Sequence, residues 1–161
     1  MLEEHALDSA RHDRAGFDCG NDPLNEYLRR YAEQHRKKGI SATYVLVDSD
    51  NPAKILGYYT LSAAEVANEH LTDGDRKRLP RYPVPCFRMG RLAYSLDCRG
   101  QGFGKLLLGC AVDRCLKVRE QLGAYALLVD AKDESARAFY QHFGFTSLRD
   151  SRLSLYLPLG R

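Results

Sequence analysis

The chain has 161 residues, of which 44% are hydrophobic and 28% charged, and this composition fits one globular domain with a core large enough to fold alone. Its formal net charge of +3 is too small to identify a nucleic-acid-binding protein by itself. The sequence lacks an apolar run of the roughly 18 residues that a membrane span needs, and it lacks the apolar core of a signal peptide. We therefore expect one cytoplasmic domain, residues 1–161.

The cysteines argue against a disulfide framework and against a zinc site. The chain has five cysteines, so they cannot all pair with one another, and no two of them form a CxxC pair. In a chain that is not exported, such cysteines are expected to be reduced and partly buried thiols. They are Cys19, Cys86, Cys98, Cys110 and Cys115.

The first predicted element, after a polar lead-in, is a helix over residues 22–38. Asp22 can cap it, Pro23 takes its first position and Gly39 ends it. Apolar residues recur at helical spacing and most basic residues lie elsewhere, so the helix is amphipathic with a basic end. This end is either a solvated face or a phosphate-contacting edge. Its basic residues are Arg36, Lys37 and Lys38.

Two β runs follow, over residues 42–48 and 55–63. A cluster of turn-forming residues separates them, so they predict a hairpin. A short helix over residues 72–79 comes next and ends before Pro80. This helix contains a second basic cluster, formed by Arg76, Lys77 and Arg78.

The second half of the chain alternates strands and helices. The predicted segments are a strand over 84–96, a helix over 103–122, a strand over 125–131 and a helix over 133–142. This order is typical of a parallel βαβ unit. A last run, 152–157, alternates apolar and polar residues as a strand does.

The segment 99–105, RGQGFGK, has glycine at alternate positions between a predicted strand and a predicted helix. Such a turn directs backbone N–H groups at a helix N-terminus, where they suit phosphate oxygens. A Walker loop would need glycine in place of Arg99 and Ser or Thr in place of Leu106, and a dinucleotide fingerprint would need glycine in place of Lys105. The loop therefore predicts a phosphate ligand other than ATP, GTP or NAD.

Two motifs resemble those of the GNAT superfamily of acyl-CoA-dependent N-acetyltransferases. Arg99, Gly102 and Gly104 match its Arg/Gln-x-x-Gly-x-Gly/Ala pyrophosphate loop, and residues 135–145, SARAFYQHFGF, match its closing Ala-x-x-Phe-Tyr-x-x-x-Gly-Phe segment. The resemblance covers residues 40–157. It implies an α/β (α+β) GNAT-like domain in which helices flank a mixed, mostly antiparallel, twisted sheet, with a central βαβ unit that binds acetyl-CoA.

A narrower resemblance, to the GNAT toxins of bacterial toxin–antitoxin modules, spans nearly the whole chain. It implies acetylation of the amino group of aminoacyl-tRNA, which blocks translation, with a ribbon-helix-helix antitoxin as a possible partner and a homodimer as the expected assembly. The segments that carry it are 17–20, 24–28, 57–61, 83–85 and 90–93.

The resemblance also implies roles for individual residues. Backbone N–H groups of the strand before the glycine loop face the thioester, and a bulge there would free such donors. Tyr140, from the Phe-Tyr pair of the closing motif, is the expected general acid, because a phenol is protonated at neutral pH. The expected acetyl-CoA-binding residues are Arg91, Leu92, Ala93, Arg99, Gly100, Gln101, Gly102, Phe103, Gly104 and Lys105.

No general base and no metal site are assigned. The carboxylates and imidazole near the closing helix have ordinary explanations as caps or exposed charges, and the amino group of an aminoacyl ester is already partly neutral. These residues are Asp130, Asp133, Glu134 and His142.

Arg91 either forms a salt bridge within the sheet or holds an RNA phosphate. The expected tRNA-binding residues are Arg36, Lys37, Lys38, Arg76, Lys77, Arg78 and Arg91. Two alternatives remain at this point. One is an N-acetyltransferase of a small-molecule or protein amine, and the other is a non-catalytic module that binds CoA or an antitoxin.

Overall fold

A mixed sheet of seven strands is the central feature of the computed structural model, which describes residues 1–160. The strand order is β1-β2-β3-β4-β5-β7-β6, and only the β4–β5 pair is parallel among the pairings β1–β2, β2–β3, β4–β5, β5–β7 and β6–β7. The predicted mixed, mostly antiparallel sheet is thereby confirmed. The strands are β1 (Leu2–Ala6), β2 (Ala42–Asp48), β3 (Gly57–Val66), β4 (Val84–Tyr94), β5 (Ala126–Asp130), β6 (Thr146–Ser147) and β7 (Ser154–Pro158).

The helices lie close to the predicted positions. The first predicted helix is continuous but has three parts, because a π-helical turn, Tyr27–Tyr31, separates α1 (Asp22–Glu26) from α2 (Ala32–Lys37). Short 3-10 turns occupy Asn68–His70 and Leu96–Cys98. The remaining helices are α3 (Asp73–Arg76), α4 (Phe103–Val118) and α5 (Glu134–His142).

The structure corrects the N-cap of the first helix. Asn21, not Asp22, is the cap: its backbone is extended (φ −126°, ψ 110°) and its side chain accepts from the backbone N–H of Leu24 at 3.1 Å. Asp22 is instead a first-turn acid, where its charge complements the helix dipole. Both residue types favour caps, so only the backbone geometry separates them.

The other corrections concern boundaries. The polar lead-in contains β1, which pairs with β2 from Leu2 opposite Asp48 to Ala6 opposite Tyr44. The short helix begins after Thr72, whose side chain caps it. Ile55 precedes β3, although it is buried like a strand residue. The long helix ends at Val118.

The chain divides into two compact units, each with its own buried cluster. The first unit contains residues 1–62 and 90–113, and the second contains residues 63–89 and the described chain from 114 onward. The sequence predicts a single domain over residues 1–161, and the last of these, Arg161, lies outside the described residues. The first cluster is built from Leu7, Phe17, Tyr27, Leu28, Ala32, Val45, Val47, Ile55, Tyr58 and Ala93, and the second from Val66, Leu71, Val84, Cys86, Ala126, Leu128 and Tyr156.

The cysteines are free, and three of the five are buried. Burial raises the pKa of the Cys86 thiol to about 11 and that of Cys115 to about 12. These two thiols are therefore protonated structural side chains at neutral pH. Among residues 1–160, no helix is both long enough and apolar enough to cross a membrane.

Candidate active site

The glycine loop follows β4 in the first unit and leads directly into α4. Gly100 and Gly102 have φ values of +71° and +78°, in the left-handed region, and a Cβ built on either glycine would meet no atom within 4 Å. Both positions therefore favour glycine because of their backbone conformation, and not because a side chain there would contact neighbouring atoms. The N-terminal N–H groups of α4 follow at once, and its first turn contains no acidic residue, so the loop suits a phosphate group.

Neighbouring groups hold the loop in place. The Gln101 side chain donates to the backbone carbonyl of Asp97 at 3.2 Å, and Phe103 is buried at the start of α4. The backbone N–H of Leu96 donates to the carbonyl of Asp18 at 2.9 Å. Gly104 is half-buried, whereas Arg99 and Lys105 remain exposed on either side of the loop.

The strand before the loop extends beyond its parallel pairing. The parallel pairing of β4 ends at Met89 opposite Val129, whereas β4 itself continues to Tyr94. The backbone of Arg91, Leu92 and Ala93 thus lies beyond the parallel register. A strand segment that leaves its ladder has N–H groups available for a ligand.

Arg91 contacts an aromatic ring. Its guanidinium carbon lies 3.5 Å from the centroid of the Tyr27 ring, a cation–π contact. It forms no ion pair within residues 1–160, so the salt bridge, one of the two alternatives for this residue, is not observed. The Tyr27 ring, on the π-helical turn, also stacks on Tyr58 of β3 with centroids 6.5 Å apart.

Tyr140 lies in the second unit, on α5. It is buried, and its ring packs against Phe139 and Phe145 with centroids 5.3 and 5.4 Å away. Burial, assisted by the charge of Asp130, raises the pKa of Tyr140 to about 12. Its hydroxyl donates to no other group within the described chain. The structure thus provides a protonated phenol whose proton is not committed to a partner.

The four candidates for a general base have structural contacts instead. Asp133 caps α5, accepting from the backbone N–H of Ala136 at 2.8 Å. Asp130 accepts from the guanidinium of Arg88 and from the Ser154 hydroxyl. Glu134 forms an ion pair with Arg152 at 2.8 Å, and the His142 ring makes an edge contact with the Phe143 ring.

The basic cluster of the first unit is partly neutralised. The Arg36 guanidinium contacts Glu33 at 2.6 and 3.2 Å, and this contact lowers the pKa of Glu33 to about 2. Lys37 and Lys38 have no acidic partner within the described residues. Of the three predicted phosphate contacts, only these two lysines are therefore unpaired.

The basic cluster of the second unit borders a concave surface. Arg76 and Lys77 line a cavity of about 680 Å³ together with Arg81, which the sequence did not single out as a site residue. Arg76 is 3.9 Å from Asp73, whereas Arg78 donates to the carbonyl of Gly74. The α3 helix that carries the cluster is anchored because the Tyr156 hydroxyl donates to the buried Asp75 carboxylate at 2.6 Å.

Sequence comparison places these features in a family. Residues 40–147 match the family model described as an acetyltransferase (GNAT) domain. A tRNA-acetylating toxin of Mycobacterium tuberculosis is 34% identical over 133 residues, which are 83% of this chain and 78% of that protein.

Solved structures agree with this assignment over almost the full length. A Tyr-to-Phe mutant of KacT matches this chain with a TM-score of 0.91 and 32% identity. AtaT complexed with acetyl-methionyl-tRNAfMet matches with a TM-score of 0.90 and 31% identity. Each match covers 98% of this chain and 95% of the other chain. A Tyr-to-Phe mutant of the toxin AtaT, bound to the C-terminus of the antitoxin AtaR and acetyl-CoA, has a TM-score of 0.82 with 26% identity and covers 98% and 93%. The chain therefore belongs to the GNAT acetyltransferase family.

Proposed function

We propose that this protein transfers the acetyl group of acetyl-CoA to the amino group of aminoacyl-tRNA and thereby blocks translation, with the whole chain acting as one acetyltransferase domain. The observation that carries the proposal is the TM-score of 0.90, over 98% of the chain, to AtaT in complex with acetyl-methionyl-tRNAfMet. The cytoplasmic location expected from the sequence follows from this acceptor and stays a prediction.

The glycine loop fits the pyrophosphate of acetyl-CoA. Gly100 and Gly102 leave open space above the backbone, and the α4 N-terminus adds oriented N–H donors. Arg99 and Lys105 supply positive charge on both sides, while Gln101, Phe103 and Gly104 complete the loop. Acetyl-CoA, when bound, supplies the acetyl group as an activated thioester.

Two tasks remain for the protein during the transfer. Backbone N–H groups of Arg91, Leu92 and Ala93 stabilise the negative charge that develops on the thioester oxygen. As the acceptor nitrogen bonds to the carbonyl carbon and the C–S bond breaks, Tyr140 gives its proton to the thiolate sulfur. The acceptor amine loses its own proton to water, which agrees with the structural contacts of the four base candidates.

The basic residues are proposed to contact the RNA backbone. Lys37, Lys38, Lys77 and Arg91 have no acidic partner in the described chain, and such cations bind phosphate without reading sequence. Arg36, Arg76 and Arg78 would bind RNA only in competition with Glu33, Asp73 and Asp75, their neighbours in the structure.

Charge reversal at the second cluster should separate the two substrates. The double change Arg76→Glu and Lys77→Glu is expected to raise the KM for aminoacyl-tRNA by about tenfold or more, because it replaces two attractive phosphate contacts by repulsion. The KM for acetyl-CoA should not change. Lys117→Glu, an exposed position in the same unit that does not line this cavity, is the matched control. Unchanged steady-state kinetics on tRNA in the double variant would remove this cluster from the RNA interface.

The partners proposed are a ribbon-helix-helix antitoxin and a second copy of this chain. The support for an antitoxin is the similarity to AtaT bound to the C-terminus of AtaR. We infer the homodimer from the resemblance to GNAT toxins. Light scattering of the purified protein measures its assembly directly.

Inducible expression in bacteria tests the proposed function. Expression of the wild-type chain should arrest growth, and expression of Tyr140→Phe to the same level should not. Both proteins must accumulate in soluble form, as judged on a gel. Harmless expression of an active wild-type enzyme would instead indicate an acceptor other than aminoacyl-tRNA.

A further inference from the structure

An exposed aromatic side chain stands on the π-helical turn of the first unit. Tyr31 is 42% exposed, whereas Tyr27, on the same turn, is only 3% exposed. The Tyr31 ring leans against two buried or half-buried rings, with its centroid 6.4 Å from that of Tyr27 and 6.2 Å from that of His35. The Tyr31 ring is therefore flanked by two rings of the protein and still keeps an exposed surface.

The supporting rings are themselves fixed. The Tyr27 hydroxyl is hydrogen-bonded to Nδ1 of His35 at 3.0 Å, and Arg91 covers the Tyr27 ring. Tyr58, which stacks on Tyr27, donates its hydroxyl proton to the carbonyl of Leu24 at 2.7 Å. Tyr31 consequently projects from a rigid base that includes Arg91, a residue of the strand that precedes the glycine loop.

The charges around Tyr31 favour a phosphodiester chain. Arg14 donates to the carbonyl of Arg29 at 3.4 Å, so these two cations are neighbours. Neither has an acidic partner within residues 1–160. By contrast, Arg30 is paired with Glu26 at 3.2 Å. Arg29 is thus an unpaired cation on the same π-helical turn as Tyr31, and Arg14 lies against the backbone of that turn.

We infer that the Tyr31 ring is a stacking surface for an unpaired nucleobase at the acceptor end of the RNA substrate, with Arg14 and Arg29 contacting the adjacent phosphates. An exposed aromatic ring in a segment with unpaired cations is the combination by which proteins bind single-stranded nucleic acid. The inference rests on the proposed function and adds a positioning residue to it. An apolar protein partner would not require the two free arginines.

Truncation of the ring tests this role. Tyr31→Ala should raise the KM for aminoacyl-tRNA by about tenfold, the value of one lost base–aromatic stack, with kcat and the KM for acetyl-CoA unchanged. Tyr31→Phe retains the stacking face and should behave as wild type. Leu122→Ala, which removes an apolar side chain that is 59% exposed in the second unit and outside the basic cavity, is the control for loss of exposed apolar surface. Thermal unfolding midpoints verify that the variants fold.

A second acceptor separates this inference from the proposed function. An amino acid methyl ester has the reacting amine but no nucleobase, so wild type and Tyr31→Ala should acetylate it at equal rates. If wild type acetylates aminoacyl-tRNA and Tyr31→Ala does so with the same KM, the stacking role is wrong and the proposed function stands. A loss of activity on the ester as well would also overturn the stacking role. If wild type acetylates no aminoacyl-tRNA, the proposed function itself fails.

Discussion

Replacing Tyr140 by Phe is expected to lower kcat for acetyl transfer by about a hundredfold or more, the usual contribution of a positioned general acid. The phenyl ring keeps the packing against Phe139 and Phe145, and only the proton donor is lost. The KM for acetyl-CoA should change little, because Tyr140 is not among the residues proposed to bind the pyrophosphate. Steady-state kinetics with acetyl-CoA and a charged tRNA measure both constants.

The raised pKa of Tyr140 has a consequence for the pH profile. A general acid acts in its protonated form, and a pKa of about 12 keeps the phenol protonated well above neutral pH. The wild-type kcat should therefore show no alkaline decline from this group between pH 7 and about pH 10. A decline centred near neutral pH would belong to a different group, and Tyr140→Phe would then retain it.

The same pKa shift predicts how stability depends on pH. The pKa of Tyr140 in the folded chain, about 12, lies above the value of 10 for an unperturbed tyrosine. Its contribution to the free energy of unfolding is therefore complete below about pH 10 and is lost as the pH rises towards 12. Denaturant unfolding at several alkaline pH values should show a smaller loss for Tyr140→Phe than for wild type.

The control for these experiments is a tyrosine in the same unit. Tyr125 is half-buried and its pKa is also raised by burial, so Tyr125→Phe removes a comparable hydroxyl. It should leave kcat near the wild-type value. Near-normal kcat in Tyr140→Phe would refute the general-acid assignment, and an equal loss in both variants would indicate a structural effect.

Gly102→Ala is expected to raise the Kd for acetyl-CoA by about tenfold or more. Gly102 has a φ of +78°, which an L-residue adopts only at a cost of about 1–2 kcal/mol. Relief of this strain would turn the N–H groups of the loop away from the pyrophosphate, and a hydrogen bond to a charged group contributes about 1.5–3 kcal/mol. Isothermal titration with acetyl-CoA measures the loss directly.

Gly39→Ala is the matched control for backbone strain. Gly39 has a φ of +71° after α2, and a Cβ there would also meet nothing within 4 Å. Both variants should lose a similar free energy of unfolding, but only Gly102→Ala should lose affinity for acetyl-CoA. Equal affinities in the two variants would mean that the loop conformation does not determine cofactor binding.

The sequence predicted the fold wherever a local pattern determines the structure. Glycine at alternate positions between a strand and a helix identified the loop, and the resemblance supplied the mixed sheet. The lead-in strand β1 is not predictable because only two of its five residues, LEEHA, are apolar. It forms a strand because it pairs with β2, far along the chain. Long-range pairing of this kind leaves no local periodicity in a short edge strand.

The site was only partly predictable for a similar reason. Helical spacing alone predicts one apolar face for Leu24, Tyr27, Leu28 and Tyr31. The π-helical turn rotates the face locally, so that Tyr27 is buried under Arg91 while Tyr31 remains exposed. The pairing of Arg36 with Glu33 at i,i+3 was visible in the sequence, but its effect on phosphate binding emerged only from the contact distances.

The central claim is that the acceptor is the amino group of aminoacyl-tRNA. Its most direct test is incubation of the protein with labelled acetyl-CoA and total charged tRNA, followed by identification of the labelled aminoacyl group. We expect label on the α-amino group of one or a few amino acids esterified to tRNA. Deacylated tRNA should yield no label, and the Tyr140→Phe variant should label charged tRNA far more slowly than wild type. Unlabelled charged tRNA, together with rapid acetylation of free amines or protein lysines under the same conditions, would contradict the account.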